Sequence, residues 1–448
     1  MKHKLLLLLL LLFLGFVIIQ LPLYKPLLSD ENQYFYLAKL VSEGQTPYED
    51  FFFAHTPFQL YILQYIYKLV GYNFFILKSV ALIATLMTAT LIYKICSYEQ
   101  SEGAGLIAML LFLFTYTIFF VGTVNMGVNI TAMFCVAAYY FHLKGKYFWS
   151  GVLYGLALFS GLYAAPFVII GLLCCRGHIL RKIGGFLLIF GGGSIVFFLN
   201  GSGYMNQVFL YHFLKSSGTV TSKLTTFITA FKLDFFIIFS FIIMVIILLS
   251  LKRLKMDMLF LKILLFFCFV ALLNNPMHYY FVLVYPFMAI FIGIKLLELK
   301  KERPRIAISV LLSITLMLVI HGFYMPGYTE QQLKWYEFDG LKEITPFFAR
   351  NRGVLMGDFS VVNLVALETG NTVLVGPEFD TYPSAAKSIG VNNMYDAIRE
   401  NPPDYFIAHE MSGTFNPLWK LLEVGEICSE FLFKIEENSN SYHVYSCR

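Results

Sequence analysis

The chain has 448 residues, of which 58% are hydrophobic, 18% aromatic and only 14% charged, against about a quarter charged in an ordinary soluble protein. So few charges cannot cover a soluble surface, and the apolar residues are gathered into long runs, which excludes a soluble globular protein. The net charge of +5 does not argue for a nucleic-acid partner, because the basic residues stand in short clusters between apolar runs, a pattern of membrane topology.

A membrane-spanning helix needs about 20 mostly apolar residues. In chain order such runs lie at 5–21, 74–95, 104–122, 128–143, 148–175, 183–199, 233–251, 258–273, 279–298 and 306–321. The run at 148–175 holds Gly161 and Pro166 near its middle and is too long for one straight span, so it reads as a broken or hairpin pair. Counting it as two gives about eleven spans. The first run also has the charged start and leucine core of a signal peptide, but no small-residue cleavage site follows it. Under either treatment residues 22–73 lie outside.

Orientation follows from Lys and Arg in short loops. A cytoplasmic N-terminus places Lys2, Lys4, Lys94, Lys144, Lys146, Arg176, Arg181, Lys182, Lys252, Arg253 and Lys255 inside, together with Lys295, Lys300, Lys301, Arg303 and Arg305. An odd number of spans then exports the tail. The expected architecture is a polytopic α-helical membrane protein of the cell membrane. It comprises a transmembrane domain at 1–321, with its first outer loop at 22–73, and a small extracytoplasmic α/β domain at 322–448.

Within the first loop, residues 57–71 form an amphipathic stretch suited to the membrane surface. A second polar region at 200–232 carries His212, Lys215 and a Ser/Thr-rich patch. In the tail, GVLMGD (353–358), TVLVG (372–376) and DYFIAH (404–409) predict strands, and SVVNLVALET (360–369) and NNMYDAIREN (392–401) predict helices. No G-x-G-x-x-G is present, so a dinucleotide site has no support. Cys428 and Cys447 flank a stretch that reads as a β-hairpin, and a disulfide across its base would suit an oxidising exterior. Four other cysteines, Cys96, Cys135, Cys174 and Cys175, read as small buried hydrophobes.

The chemistry concentrates in SDENQYFYLAKLVSEGQTPYEDFFFAHTP (29–57). Asp30 and Glu31 follow the first span closely, where a carboxylate is expensive unless it faces water or a partner. Residues 32–42 have helical spacing, with Ser29 or Asp30 as N-cap. A cap and solvated loop charges would account for Asp30 alone. The return of ionisable groups at Asp50 and His55 to the same membrane face points instead to a site.

The order Asp30-Glu31, Tyr34, Ala38, Gly44, Pro47-Tyr48, Asp50 and His55-x-Pro57 resembles the first loop of the GT-C superfamily of membrane glycosyltransferases. Its closest likeness is to the dolichyl-phosphate-mannose protein mannosyltransferases and the lipid A aminoarabinose transferases. YGLALFSGLYAAPFVIIGLL (154–173), YHFLK (211–215) and HYYFVLVYPFMAIFIG (278–293) resemble later segments of that family, so the likeness runs over about residues 1–320. It implies an inverting glycosyltransferase whose donor is a polyprenyl-phosphate sugar and whose acceptor is a protein, lipid or glycan. Asp30 would be the general base, with Glu31, Tyr34, Asp50 and His55 around acceptor or sugar. His212, Lys215, His278, Tyr279 and Tyr280 would meet the lipid phosphate. Such a reaction requires no cofactor and no nucleotide. No His/Cys/Asp/Glu group has structural-metal spacing, and a divalent cation on Asp30, Glu31 or Asp50 would be an addition to the scheme.

Three departures from the family pattern stand out. The second outer loop, VGTVNMGVN (121–129), has Asn125 and Asn129 where the family often has an acid. Tyr163 stands where the broken span often carries a basic residue, and His278-Tyr279-Tyr280 replaces an Arg-Tyr step. Two other functions compete. A transporter or flippase would need polar mid-span residues and inverted repeats, which are not evident. A non-catalytic membrane scaffold with an outer binding domain would tolerate the missing acid.

Overall fold

The computed structural model describes residues 2–173, 176–199, 203–214, 228, 234–251, 258–273, 278–336, 340–374, 402–410, 428, 430–437 and 440–447. The helix expected at 392–401, Lys215, most of the Ser/Thr-rich patch, and Cys174 and Cys175 lie outside the described residues. In chain order the helices are α1 (Lys2–Gln20), α2 (Glu31–Ser42), α3 (Phe58–Val70), α4 (Phe74–Glu99), α5 (Glu102–Leu113), α6 (Tyr116–Val121), α7 (Val128–Leu143), α8 (Tyr147–Ser160) and α9 (Ala165–Leu173). They continue with α10 (Ile179–Leu199), which contains a π turn, and a short helical segment at 203–214. Then come α11 (Phe235–Ser250), α12 (Met258–Leu272), α13 (Tyr285–Glu302), α14 (Pro304–Tyr336), α15 (Leu341–Arg350) and α16 (Phe359–Thr369). The strands are β1 (Val354–Gly357), β2 (Thr372–Val373), β3 (Tyr405–Glu410), β4 (Glu430–Glu437) and β5 (Asn440–Ser446).

The chain divides into two units: Met1–Tyr24, Lys78–Phe197 and Ser217–Thr329 form one, and Lys25–Leu77, Phe198–Ser216 and Glu330–Arg448 the other. The first is helical. Among the described residues three helices are long and apolar enough to cross a membrane, at Phe74–Glu99, Ile179–Leu199 and Pro304–Tyr324. Side chains such as Ile83, Leu188, Ile195, Leu312 and Leu316 stand exposed on them, an arrangement that water would penalise and hydrocarbon accepts.

The run at 148–175 is broken where its glycine stands: α8 ends at Ser160, Gly161 is extended, and α9 begins four residues later. Gly151 on α8 and Gly185 on α10 let these helices touch backbone to backbone. A Cβ on Gly151 would fall 1.9 Å from the Lys182 carbonyl oxygen, and one on Gly185 2.2 Å from that of Phe148. Small residues serve this purpose where lipid offers no hydrophobic drive between helices. Phe167 stacks on Phe287 and Phe266, with ring centroids 4.5 Å and 5.1 Å away, and anchors the interior. Among the described residues one carboxylate is buried there. Asp234, at the start of α11, accepts from the Thr117 amide (3.0 Å) and hydroxyl and from the Tyr285 hydroxyl. Helix α14 runs to Tyr336, beyond the apolar run that ends near 321. Its polar extension, TEQQLKWY, is rich in good helix formers, so helix and span end at different places.

The second unit joins the first-loop helices α2 and α3 to the tail. Its sheet has the order β2-β1-β3-β5-β4, with β1 parallel to both β2 and β3 and the β4–β5 hairpin antiparallel at the far edge. The Cys428–Cys447 disulfide closes that hairpin at its base. Helix α16 makes the β1-to-β2 crossover, with Asp358 as its N-cap accepting from the Ser360 amide at 3.0 Å. Phe348 and Ile344 of α15 and Val361, Leu364 and Val365 of α16 are fully buried.

Candidate functional site

The first-loop motif folds as a helix followed by a clamped turn. Asp30 stands in the N-cap position of α2, yet its backbone is helical and its side chain makes no capping bond. The carboxylate is therefore not used as the cap that its place in the sequence would suggest. Glu31 and Asn32 are buried, whereas Asp30 remains partly exposed. Burial, followed by the Glu368 carboxylate and then Glu31, holds the Tyr72 phenol above its ordinary range.

Beyond Ser42 the chain turns back through residues 46–56. Asp50 accepts from the Thr46 amide at 2.6 Å and is exposed, so its carboxylate closes a turn. Tyr48 adopts a positive φ of 73°. Its hydroxyl donates to the His55 carbonyl at 2.7 Å, which ties the two ends of the turn. Burial holds the Tyr48 phenol well above its ordinary range. His55 lies beside Tyr34 and Phe53, with ring centroids 5.8 Å and 5.7 Å away.

Segment 203–214 grips this turn from one side. Gln207 accepts from the Phe53 amide (2.8 Å) and donates to the Tyr48 carbonyl (2.9 Å), a two-bond brace on the backbone of the turn. Gly203 permits the approach, since a Cβ there would fall 2.3 Å from the Tyr48 carbonyl oxygen. His212 donates through Nε2 to the Ala54 carbonyl at 2.6 Å, which fixes its tautomer and places its ring 5.9 Å from that of His55.

Asp30, Glu31, Tyr34, Asp50, His55 and His212 thus all belong to the loop-and-tail unit, and within it His55 meets Tyr34 and His212. His278, Tyr279 and Tyr280 belong to the helical unit, where His278–Leu283 forms a 3-10 turn before α13. There Tyr280 donates to the Tyr163 hydroxyl at 2.7 Å, and the two rings stack with centroids 4.0 Å apart. An aromatic pair thus occupies the turn of the broken span where the family often has a basic residue. Among the described residues no cluster of three His, Cys, Asp or Glu side chains could hold a metal ion.

Four participants were not singled out from the sequence. Gln207 could have been suspected as a polar residue in an apolar segment. Asn32, Tyr36 and Asp234 carry no local signal, because each acts through a partner far away in the chain: Asn32 meets Ser360, Tyr36 meets Val373, and Asp234 meets Thr117.

The fold has close solved counterparts. ArnT from Cupriavidus metallidurans bound to undecaprenyl phosphate superimposes with a TM-score of 0.66 at 12% identity, covering 98% of this chain and 97% of that one. The apo state of the same enzyme gives 0.60 at 12% identity, covering 96% and 97%. No curated protein sequence matches significantly. A family model described as GPI transamidase subunit PIG-U matches residues 33–271, more than half of the chain. The fold is GT-C-like, shared with ArnT over nearly the full length of both chains. Within that class, this chain belongs to the PIG-U family.

Proposed function

We propose that this protein is an inverting glycosyltransferase that moves a sugar from a polyprenyl-phosphate donor to an acceptor at the outer membrane face. In this reading about eleven spans cross the bilayer, the N-terminus is cytoplasmic, and the first loop and tail lie outside. The observation that carries it is the place of the Asp30 carboxylate, partly exposed at the start of a helix whose next two residues, Glu31 and Asn32, are buried. Support comes from the shared fold with ArnT over nearly the full length of both chains.

In the reaction the acceptor hydroxyl attacks the anomeric carbon and Asp30 takes its proton. The bond from that carbon to the phosphate oxygen breaks, and the polyprenyl phosphate departs with the electron pair. One displacement inverts the configuration. A carboxylate suits the base, because a cationic base would pair with the departing phosphate. His212, Lys215, His278, Tyr279 and Tyr280 would meet the phosphate charge, and Glu31, Tyr34, Asp50 and His55 would border the acceptor or sugar. A long isoprenoid, at about 0.8 kcal/mol per buried methylene, stays in the bilayer, which is why such a site must come to the membrane surface.

The test is transfer from undecaprenyl-phosphate sugars by the full-length protein in proteoliposomes. Asp30→Asn should lower the rate by roughly 10²- to 10⁴-fold while the protein still folds and inserts. A variant as fast as the unmodified enzyme removes Asp30 from the mechanism.

A second reading has one observation in its favour. In the loop where the family often supplies another acid, Asn129 instead donates to the Val121 and Val124 carbonyls at 2.9 and 3.1 Å, so this position serves the loop's own shape. Together with the family's description as a transamidase subunit, this fits a protein that holds a lipid-linked glycan without transferring it. Stable association with a partner protein, and no transfer from any donor, would favour it.

A further inference from the structure

The helix that begins at Asp30 is attached to the tail. Asn32, fully buried, donates through Nδ2 both to the Leu27 carbonyl at 2.8 Å and to the Ser360 carbonyl at 3.0 Å. The first bond closes the turn that leads into Asp30. The second crosses 328 positions of sequence to the first turn of α16. One turn further along α2, the Tyr36 hydroxyl accepts from the Val373 amide of β2 at 2.7 Å. Burial is the main cause that pushes the Tyr36 phenol up to about 12, so the hydroxyl stays neutral at ordinary pH.

The tail end of this attachment is itself fixed. Asp358 accepts from both the Ser360 amide (3.0 Å) and hydroxyl (2.6 Å), and its own amide donates to the Ile407 carbonyl of β3 at 2.9 Å. Strands β1 and β3 are parallel neighbours in the middle of the sheet. The Ser360 carbonyl is therefore held against a rigid sheet, and Asn32 transmits that rigidity to the backbone on either side of Asp30.

We propose that the tail domain is a working part of the active site, and that Asn32 is a positioning residue through which its β1–α16 turn fixes Asp30. The inference rests on the glycosyltransferase reading for its effect on rate, but not for its effect on order. A base misplaced by about 1 Å can cost roughly 10²-fold in rate, so a loop beside a membrane needs such a brace. The tail also differs from a simple appendage in sending two bonds into a single helix.

The decisive substitution is Asn32→Asp, which keeps the shape but turns an oxygen toward two carbonyls. Hydrogen–deuterium exchange on the full-length protein in detergent should show exchange in residues 27–34, and in the β1–α16 turn, faster by roughly tenfold. Exchange in helix α4 and the far β4–β5 hairpin should be unchanged. In turnover assays with undecaprenyl-phosphate sugars the same variant should lose roughly 10- to 100-fold in kcat with KM for the donor unaltered. Tyr36→Phe, which removes only the hydroxyl, should show the same pattern more weakly and serves if Asn32→Asp does not fold. Unchanged exchange on both sides of the contact in either folded variant overturns the proposal. If the unmodified protein transfers no sugar, the glycosyltransferase reading falls and the exchange result still decides whether the tail holds this helix. If exchange rises and kcat holds, the attachment is structural only and the positioning role is refuted.

Discussion

The two units lean on different bonds around their functional elements. In the helical unit many hydroxyls return to carbonyls one turn back, as Thr88 does to Ala84 and Ser160 to Leu156, while a few side chains such as Gln20 reach a distant carbonyl. In the loop-and-tail unit the bonds reach far along the chain, from Gln207 to Phe53 and Tyr48, from His212 to Ala54, and from Asn32 to Ser360. A helix carries its own hydrogen bonds and needs neighbours only for packing. A turn that carries a site has unpaired backbone groups, and other segments must supply the partners. Polar mutations should therefore be absorbed locally where a helix supplies the partner, and should release a whole segment where a distant residue does.

The sharpest break in that comparison is Asp234, a long-range polar centre inside the helical unit. Asp234→Ala would leave the Thr117 amide and hydroxyl and the Tyr285 hydroxyl without their acceptor, at a cost of roughly 2–5 kcal/mol. Thermal unfolding in detergent should record a large drop. An unaltered transition would mean that this cluster is rearranged or hydrated in the membrane. Helix α11 begins directly after this residue, so its first turn should also exchange faster.

A smaller and more confined effect is expected from Gln207. Replacement by Ala orphans the Phe53 amide and the Tyr48 carbonyl, which should cost roughly 1–3 kcal/mol. The loss should appear as faster exchange in residues 46–56, leaving the helical unit as it was. Should exchange spread evenly through both units, the turn is not held as a separate piece, and the contrast drawn above fails.

How far the sequence foretold this arrangement follows the same division. Helix α2 began within a residue or two of expectation, and strands β1 and β3, helix α16 and the β4–β5 hairpin appeared where periodicity and turn residues predicted them, while the Cys428–Cys447 disulfide closes a pairing that spacing had left open. These features depend on neighbours a few residues away, which a single sequence displays. The break at Gly161 was legible for the same reason. The brace by Gln207, the bridge from Asn32 to Ser360 and the Asp234 cluster were not legible, because their partners are 51 to 328 positions distant. Asp30 was found through resemblance, and only the fold revealed that its side chain is not spent on capping. Asp50, by contrast, sits four residues from Thr46 and its turn bond was in principle readable.

The smallest predicted effect sharpens the comparison from the helical side. Tyr163 and Tyr280 are stacked with their planes 29° apart, and Tyr280 donates to the Tyr163 hydroxyl. Tyr163→Phe keeps the ring and the stack and removes only the acceptor, so stability should fall by about 0.5–1.5 kcal/mol. Tyr280→Phe should lose a similar amount, and the double variant little more than either alone, because both remove the same bond. The pair also lies at the turn of the broken span. If the Tyr280 hydroxyl meets the donor phosphate, then Tyr280→Phe should raise KM for an undecaprenyl-phosphate sugar, and Tyr163→Phe should raise it less by releasing the orientation of that hydroxyl. If the pair is only an aromatic anchor, both variants should leave KM unchanged and shift unfolding alone. A stability loss shared by both, with a KM change confined to or larger at Tyr280, would make this a polar bond of the helical unit that serves the site rather than the span.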